Sequence, residues 1–163
     1  MKTIQGHFAV DHSGSEGEWT AIQRQACRLG YAGLIPFVTL AALYLLFQGD
    51  LQHNIGRALV AYGAVIISFL GATHWGAAIS GVSISNATPR MVFAVLPALL
   101  GWIAILLPLT YGLFVILASL CIAYLVDSRW GVWQAWYLVL RRRITLIAAL
   151  SMAVVFISTF GSL

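Results

Sequence analysis

The chain has 163 residues, of which 61% are hydrophobic and 9% charged, with a mean hydropathy of +0.91 and a formal net charge of +4. An ordinary soluble domain carries about 25% charged residues, so a water-soluble globular fold is excluded and one membrane-embedded helical unit is expected. Cys27 and Cys121 are too few for a disulfide framework and read as free thiols.

Residues 1–28 hold Lys2, Arg24 and Arg28 beside Asp11, Glu16 and Glu18, with no apolar core. That pattern fits neither a secretory signal nor an acid-poor transit peptide. Asp11 to Gly17 reads as a mobile polar tail. From Glu18 onward Trp19, Ile22, Ala26 and Leu29 recur at helical spacing, with Gln23, Arg24 and Arg28 between them, which predicts a short amphipathic helix in the membrane interface.

Charge-free runs then set the spans. Leu29 to Gly49 lacks an ionised residue over 21 positions and Ala58 to Pro89 over 32, each enough to cross about 30 Å of hydrocarbon as one helix. Met91 to Val126 is uncharged over 36 positions, too long for one crossing, and Pro108-Leu109-Thr110-Tyr111-Gly112 supplies a turn between two short helices that either cross or re-enter. Ile144 to Leu163 is a last apolar run of 20 residues. The expected fold is an all-α, five-span bundle with spans near 29–49, 58–84, 90–107, 111–127 and 144–162, preceded by a cytoplasmic tail and interfacial helix over 1–28.

In this topology Lys2, Arg24, Arg28, Arg90, Arg129, Arg141, Arg142 and Arg143 share one side and Arg57 alone takes the other. Eight against one predicts a multi-pass protein with its N-terminus cytoplasmic and its C-terminus on the outer side of the membrane. The basic residues sit at span ends rather than in a stripe among exposed aromatics, so topology explains them and nucleic acid is not an expected partner. Between Ser128 and Arg143, Trp130, Trp133, Trp136, Tyr137 and Leu140 repeat every three or four residues and lead into Arg141, Arg142 and Arg143. An interfacial helix is expected there, with its rings at headgroup level and its arginines against lipid phosphates.

The second span carries Ala64, Ser68, Ala72, Gly76 and Ser80 every fourth residue, a ridge over which helices could approach closely. His74 points roughly away from it and has three readings. It is a neutral imidazole bonded to a neighbouring helix with Trp75 packed beside it, a contact for a quinone or similar ligand, or a metal or haem ligand. No second histidine lies inside a span, so a monomer cannot supply a bis-histidine haem site, and the expectation is no metal and no other cofactor. Asp127 is expected to form an interfacial ion pair with Arg129 or Arg90, and Asp50, His53 and Arg57 to be solvated. No paired intramembrane carboxylate and no protease, hydrolase or phosphate-loop motif is present, which argues against an enzyme. Leu34-Ile35-Pro36 and Val95-Leu96-Pro97, with Tyr62-Gly63 and Tyr111-Gly112, and with Trp75 and Tyr124 after them, read either as a parallel repeat of helix pairs or as chance similarity.

Leu34-Ile35-Pro36-Phe37, Tyr62 through Gly71 running into His74-Trp75-Gly76, Val95 through Leu99, and Tyr124-Leu125-Val126-Asp127 together resemble a domain-of-unknown-function family of small bacterial inner-membrane proteins that includes mitochondrial transmembrane protein sixty-nine. The resemblance covers roughly Gly30 to Leu163 and implies an inner-membrane location without an activity, substrate or cofactor. It also implies a site at His74 and Trp75, in the stretch that holds Gly71 and Tyr62. Two functions follow from the residues. One is a non-enzymatic scaffold or assembly protein that packs its ridge against a second copy or another membrane protein. The other is a small-ligand binder or transporter half-unit, for a quinone, lipid or small solute, with a pocket around His74.

Overall fold

A computed structural model describes residues 12–80, 87–130 and 133–161. The described residues form α1 (His12–Ala32), α2 (Ile35–Leu46), α3 (Asp50–Ile79), α4 (Ala87–Leu106), α5 (Leu109–Arg129) and α6 (Ala135–Gly161) and include no strand. Among the described residues, five helical stretches are long and apolar enough to cross a membrane: Trp19–Leu46, Asp50–Ile79, Thr88–Leu106, Leu109–Arg129 and Ala135–Phe160.

The first stretch is broken by its own sequence. Pro36 lacks an N–H and its ring crowds the carbonyl four residues earlier. The chain therefore leaves the α-helix at Gly33 and Leu34, where the Leu34 amide bonds Tyr31 instead. The amphipathic segment 18–28 lies within α1, which the break separates from α2. The Gly33 carbonyl left free at the break accepts a 2.8 Å hydrogen bond from the Tyr62 hydroxyl. At the other end of α2, Gly49 adopts φ +70°, a backbone favouring glycine, and turns the chain into Asp50 at the first turn of α3.

Thirty residues make α3 about 45 Å long, and it packs against α2, α4 and α5. Its packing face carries Val60, Ala64, Ile67, Gly71, His74 and Ala78, at alternating spacings of four and three, with Gly63 beside Ala64. Backbones come close there. A Cβ at Gly71 would run into the Ala94 carbonyl oxygen of α4, and one at Gly63 would sit 2.5 Å from Ile116 of α5. From the α4 side, a Cβ at Gly101 would lie 3.1 Å from Ala64.

The ridge expected from the sequence does not do this packing. Ala64 is buried, but Ala72, Gly76 and Ser80 are exposed, and nothing lies within 4 Å of a Cβ built on Gly76. The reason is geometric. Each four-residue step overshoots a turn by about 40°, so a stripe that starts on the packed face at Ala64 has swung about 160° around the helix by Ser80. Spacing that averages 3.5 residues stays on one face.

Phe37, Leu59, Ile67, Leu113, Ile116, Met152 and Val155 fill the centre of the bundle. Leu46, Val65, Phe69, Ile79, Trp102, Leu106, Leu150 and Ile157 point outward, leaving an apolar exterior suited to hydrocarbon. Association in that medium rests on packing and hydrogen bonds rather than on expulsion of water, which is why glycines mark the closest contacts. The proposed repeat pairs sit in unlike surroundings. Pro36 lies at the start of α2 and Pro97 inside α4, while Tyr62 is half-buried and Tyr111 is exposed.

Candidate functional site

At the end of the bundle that holds the α5–α6 connection, three ionisable side chains meet out of solvent. His74 of α3, Asp127 in the last turn of α5 and Arg141 in the second turn of α6 are 1%, 3% and 2% exposed. The short connection turns α6 back along α5, so residues 14 apart in sequence face each other. His74 Nε2 lies 2.8 Å from Asp127 Oδ1, and Arg141 Nε donates to Asp127 Oδ2 at 2.8 Å. Arg141 Nη1 donates to Thr145 Oγ1, one turn on, at 2.9 Å. A carboxylate with an arginine on one oxygen accepts from the histidine on the other, which places the imidazole proton on Nε2. In a dry environment such an arrangement survives only because both charges are paired and directionally bonded.

Aromatic rings enclose the imidazole. Phe93, Trp130 and Trp133 lie 5.1, 5.2 and 5.6 Å from it between centroids, at interplanar angles of 89°, 88° and 75°. Phe93 sits one turn before Pro97, which cannot donate to its carbonyl. Arg90, fully buried in the first turn of α4, places its guanidinium carbon 5.1 Å from the Trp130 ring centroid and donates from Nη2 to the Trp130 carbonyl at 2.9 Å.

Several sequence expectations change here. Arg141 does not stand on the outside of the bundle, because Asp127 holds it inside. Trp130 and Trp133 pack their rings against His74. Segment 135–143 is continuous with the rest of the long α6. Arg142 and Arg143 are exposed, and Trp136 is half-buried with its indole N–H on Gln134. Asp127 pairs with His74 and Arg141 instead of Arg129 or Arg90. Of the residues grouped with His74, Gly71 is buried one turn earlier against α4, while Trp75, next along the helix, is exposed. Tyr62 is about 18 Å away along α3 and serves the α1–α2 break. Asp127, Phe93 and Thr145 were not singled out as site residues from sequence. The one available signal was a carboxylate closing an apolar run, and its partners lie on other helices.

Beside the network is a cavity of about 440 Å³ between α1, α2, α3 and α6. Leu29, Gly30, Phe37, Phe69, Leu70 and Ile144 give it apolar walls, and Thr73, Tyr137, Arg141 and Thr145 line it near Asp127. His74 does not reach it, so the ligand-sized space lies on the Arg141 side of the network. Among the described residues no three His, Cys, Asp or Glu side chains come together as a metal site.

The profile of a family described as protein of unknown function (DUF3429) matches residues 22–157. Transmembrane protein 69 of Xenopus tropicalis is 36% identical over 135 residues, covering 79% of this chain and 52% of the relative. The chain therefore spans about half the length of that curated relative. No solved structure matches. With the match running from α1 to α6 and enclosing His74, Asp127 and Arg141, this chain belongs to the DUF3429 family of proteins of unknown function.

Proposed function

We propose that this protein binds an amphipathic, lipid-like small molecule within the membrane. The observation that carries the reading is the 440 Å³ cavity, apolar along α1, α2 and α3 and lined by Tyr137, Arg141 and Thr145 near Asp127. Its size falls in the ordinary range for small-molecule sites, about 300–1,000 Å³, and a few placed polar groups within apolar walls are what fix a ligand's orientation. Asp127 and Thr145 hold the Arg141 side chain by two of its nitrogens, so it is preorganised rather than searching rotamers. Eight basic residues on one side of the predicted topology against one on the other support a cytoplasmic position for this end, in a bacterial inner membrane.

The test is ligand-dependent stability of the purified chain after delipidation. A ligand at 100 times its Kd stabilises by about 2.7 kcal/mol, or roughly 5–10 °C in Tm for a chain of this size. A saturable rise with an amphiphile, abolished when Ala26→Phe fills the α1 side of the cavity, is expected. No saturable rise with any amphiphile overturns the reading.

A second reading rests on the uncovered part of the ridge. Ala72, Gly76 and Ser80 leave open space on α3 where a helix of a second copy or another membrane protein fits, which is the scaffold role.

A further inference from the structure

Buried polar groups are ordinarily paired. The buried side-chain atoms with no partner among the described residues are His74 Nδ1, Arg90 Nε and Nη1, Trp133 Nε1 and Arg141 Nη2. They are not scattered. His74 touches Trp130 and Trp133, Trp130 carries Arg90, and Asp127 joins His74 to Arg141, so all five atoms belong to one connected cluster at one end of the bundle.

The cluster is one-sided in its chemistry. Guanidinium and indole nitrogens only donate, so four of the five unmet atoms are donors and His74 Nδ1, with the ring proton on Nε2, is the one acceptor. Its charge is one-sided too. Arg90 and Arg141 bring two positive charges and Asp127 one negative, and Arg90 pairs with no carboxylate among the described residues. A buried cation without a counter-ion is costly, and a negative charge brought nearby relieves it. Of the unmet donors only Arg141 Nη2 belongs to a residue that lines the adjacent cavity, so Arg90 acts on an occupant through its charge and not by contact. The adjacent cavity adds the Thr73, Tyr137 and Thr145 hydroxyls along the same end.

We infer that the amphiphile bound beside this cluster carries an anionic oxygen head, a phosphate or carboxylate, rather than a neutral carbonyl or hydroxyl. The inference rests on the binding reading above and adds the ligand's class. The apolar walls hold its chain, and the excess positive charge of Arg90 and Arg141 selects its head.

The full chain in uncharged detergent is titrated with three probes: lysophosphatidic acid, a monoacylglycerol of the same chain length, and inorganic phosphate. The lysophosphatidic acid is expected to bind at least tenfold tighter than the monoacylglycerol. Arg90→Gln is expected to cut that preference at least threefold, while Arg90→Lys keeps it, both read on protein with an unchanged melting profile. Ala26→Phe is expected to weaken both lipids. Equal binding of the two lipids, with both weakened by Ala26→Phe, overturns the anionic head and leaves the lipid-like binding reading standing. Lipid binding indifferent to Ala26→Phe overturns that reading itself. Inorganic phosphate binding as tightly as the lysophosphatidic acid identifies a free-anion site and overturns the lipid assignment. The comparison of the two lipids on the unaltered chain decides the matter even where the Arg90 variants do not fold.

Discussion

Asp127→Asn tests whether the three-residue network holds the helical hairpin onto the rest of the bundle. The substitution keeps size and shape. The amide oxygen still accepts from His74 Nε2, but its NH₂ group then faces Arg141 Nε–H, two donors in contact where a 2.8 Å ion pair stood. Arg141, 2% exposed, is left with a buried charge and Thr145 as its bonded partner in the network. Two unit charges about 4 Å apart at an effective dielectric of 20 interact by about 4 kcal/mol, and removing one partner of a buried pair costs about 3–5 kcal/mol. For a chain of this size that is a fall of roughly 6–20 °C in Tm. Trp130 and Trp133 stand against His74, so intrinsic tryptophan fluorescence in detergent follows the site directly. Adding Arg141→Met to Asp127→Asn removes the stranded charge, and the double variant is expected to recover at least half of the loss, because both partners of a buried pair are more replaceable than either alone. An Asp127→Asn protein that melts within about 1 kcal/mol of the original would refute the buried pair.

Gly71→Leu forces α4 away at Ala94 and is expected to cost at least the 1–3 kcal/mol typical of overpacking (~1–3), whereas Gly76→Leu, with open space around it, is expected to leave the melting temperature of the isolated chain unchanged; equal effects would refute the face assignment. His74→Gln retains a donor for Asp127 but loses three ring contacts, each worth about 0.5–1.5 kcal/mol. A loss of about 2 kcal/mol is expected by thermal melting, and a loss near 0.6, the mean for one intramembrane hydrogen bond (~0.6), would show that the aromatic enclosure contributes nothing. With Cys27 and Cys121 first replaced, single cysteines at Gln48 and Gln134, both exposed, are expected to react with impermeant thiol reagents from opposite sides of sealed vesicles; labelling from the same side would refute the span order.

The apolar character of the helices, their approximate number and the breaks between them were legible in the sequence because each depends on neighbours along the chain. Hydrocarbon demands about 20 consecutive apolar residues whatever packs against them, and Pro108 punctuates a helix by the local loss of an N–H. Facing and pairing do not depend on neighbours along the chain. The stripe from Ala64 to Ser80 looked continuous, yet helical drift carries it from the packed face to the exterior. Trp130, Trp133 and Arg141 fitted the composition of a headgroup belt, and the same composition serves equally to line a polar site between helices. That site is assembled by the α5–α6 hairpin, which brings Arg141 against Asp127, and by α3, which brings His74 from 53 residues away to the carboxylate's other oxygen. A charge inside a membrane protein must be paired to be tolerated, but a sequence records only the charge; the partner is chosen where the helices meet.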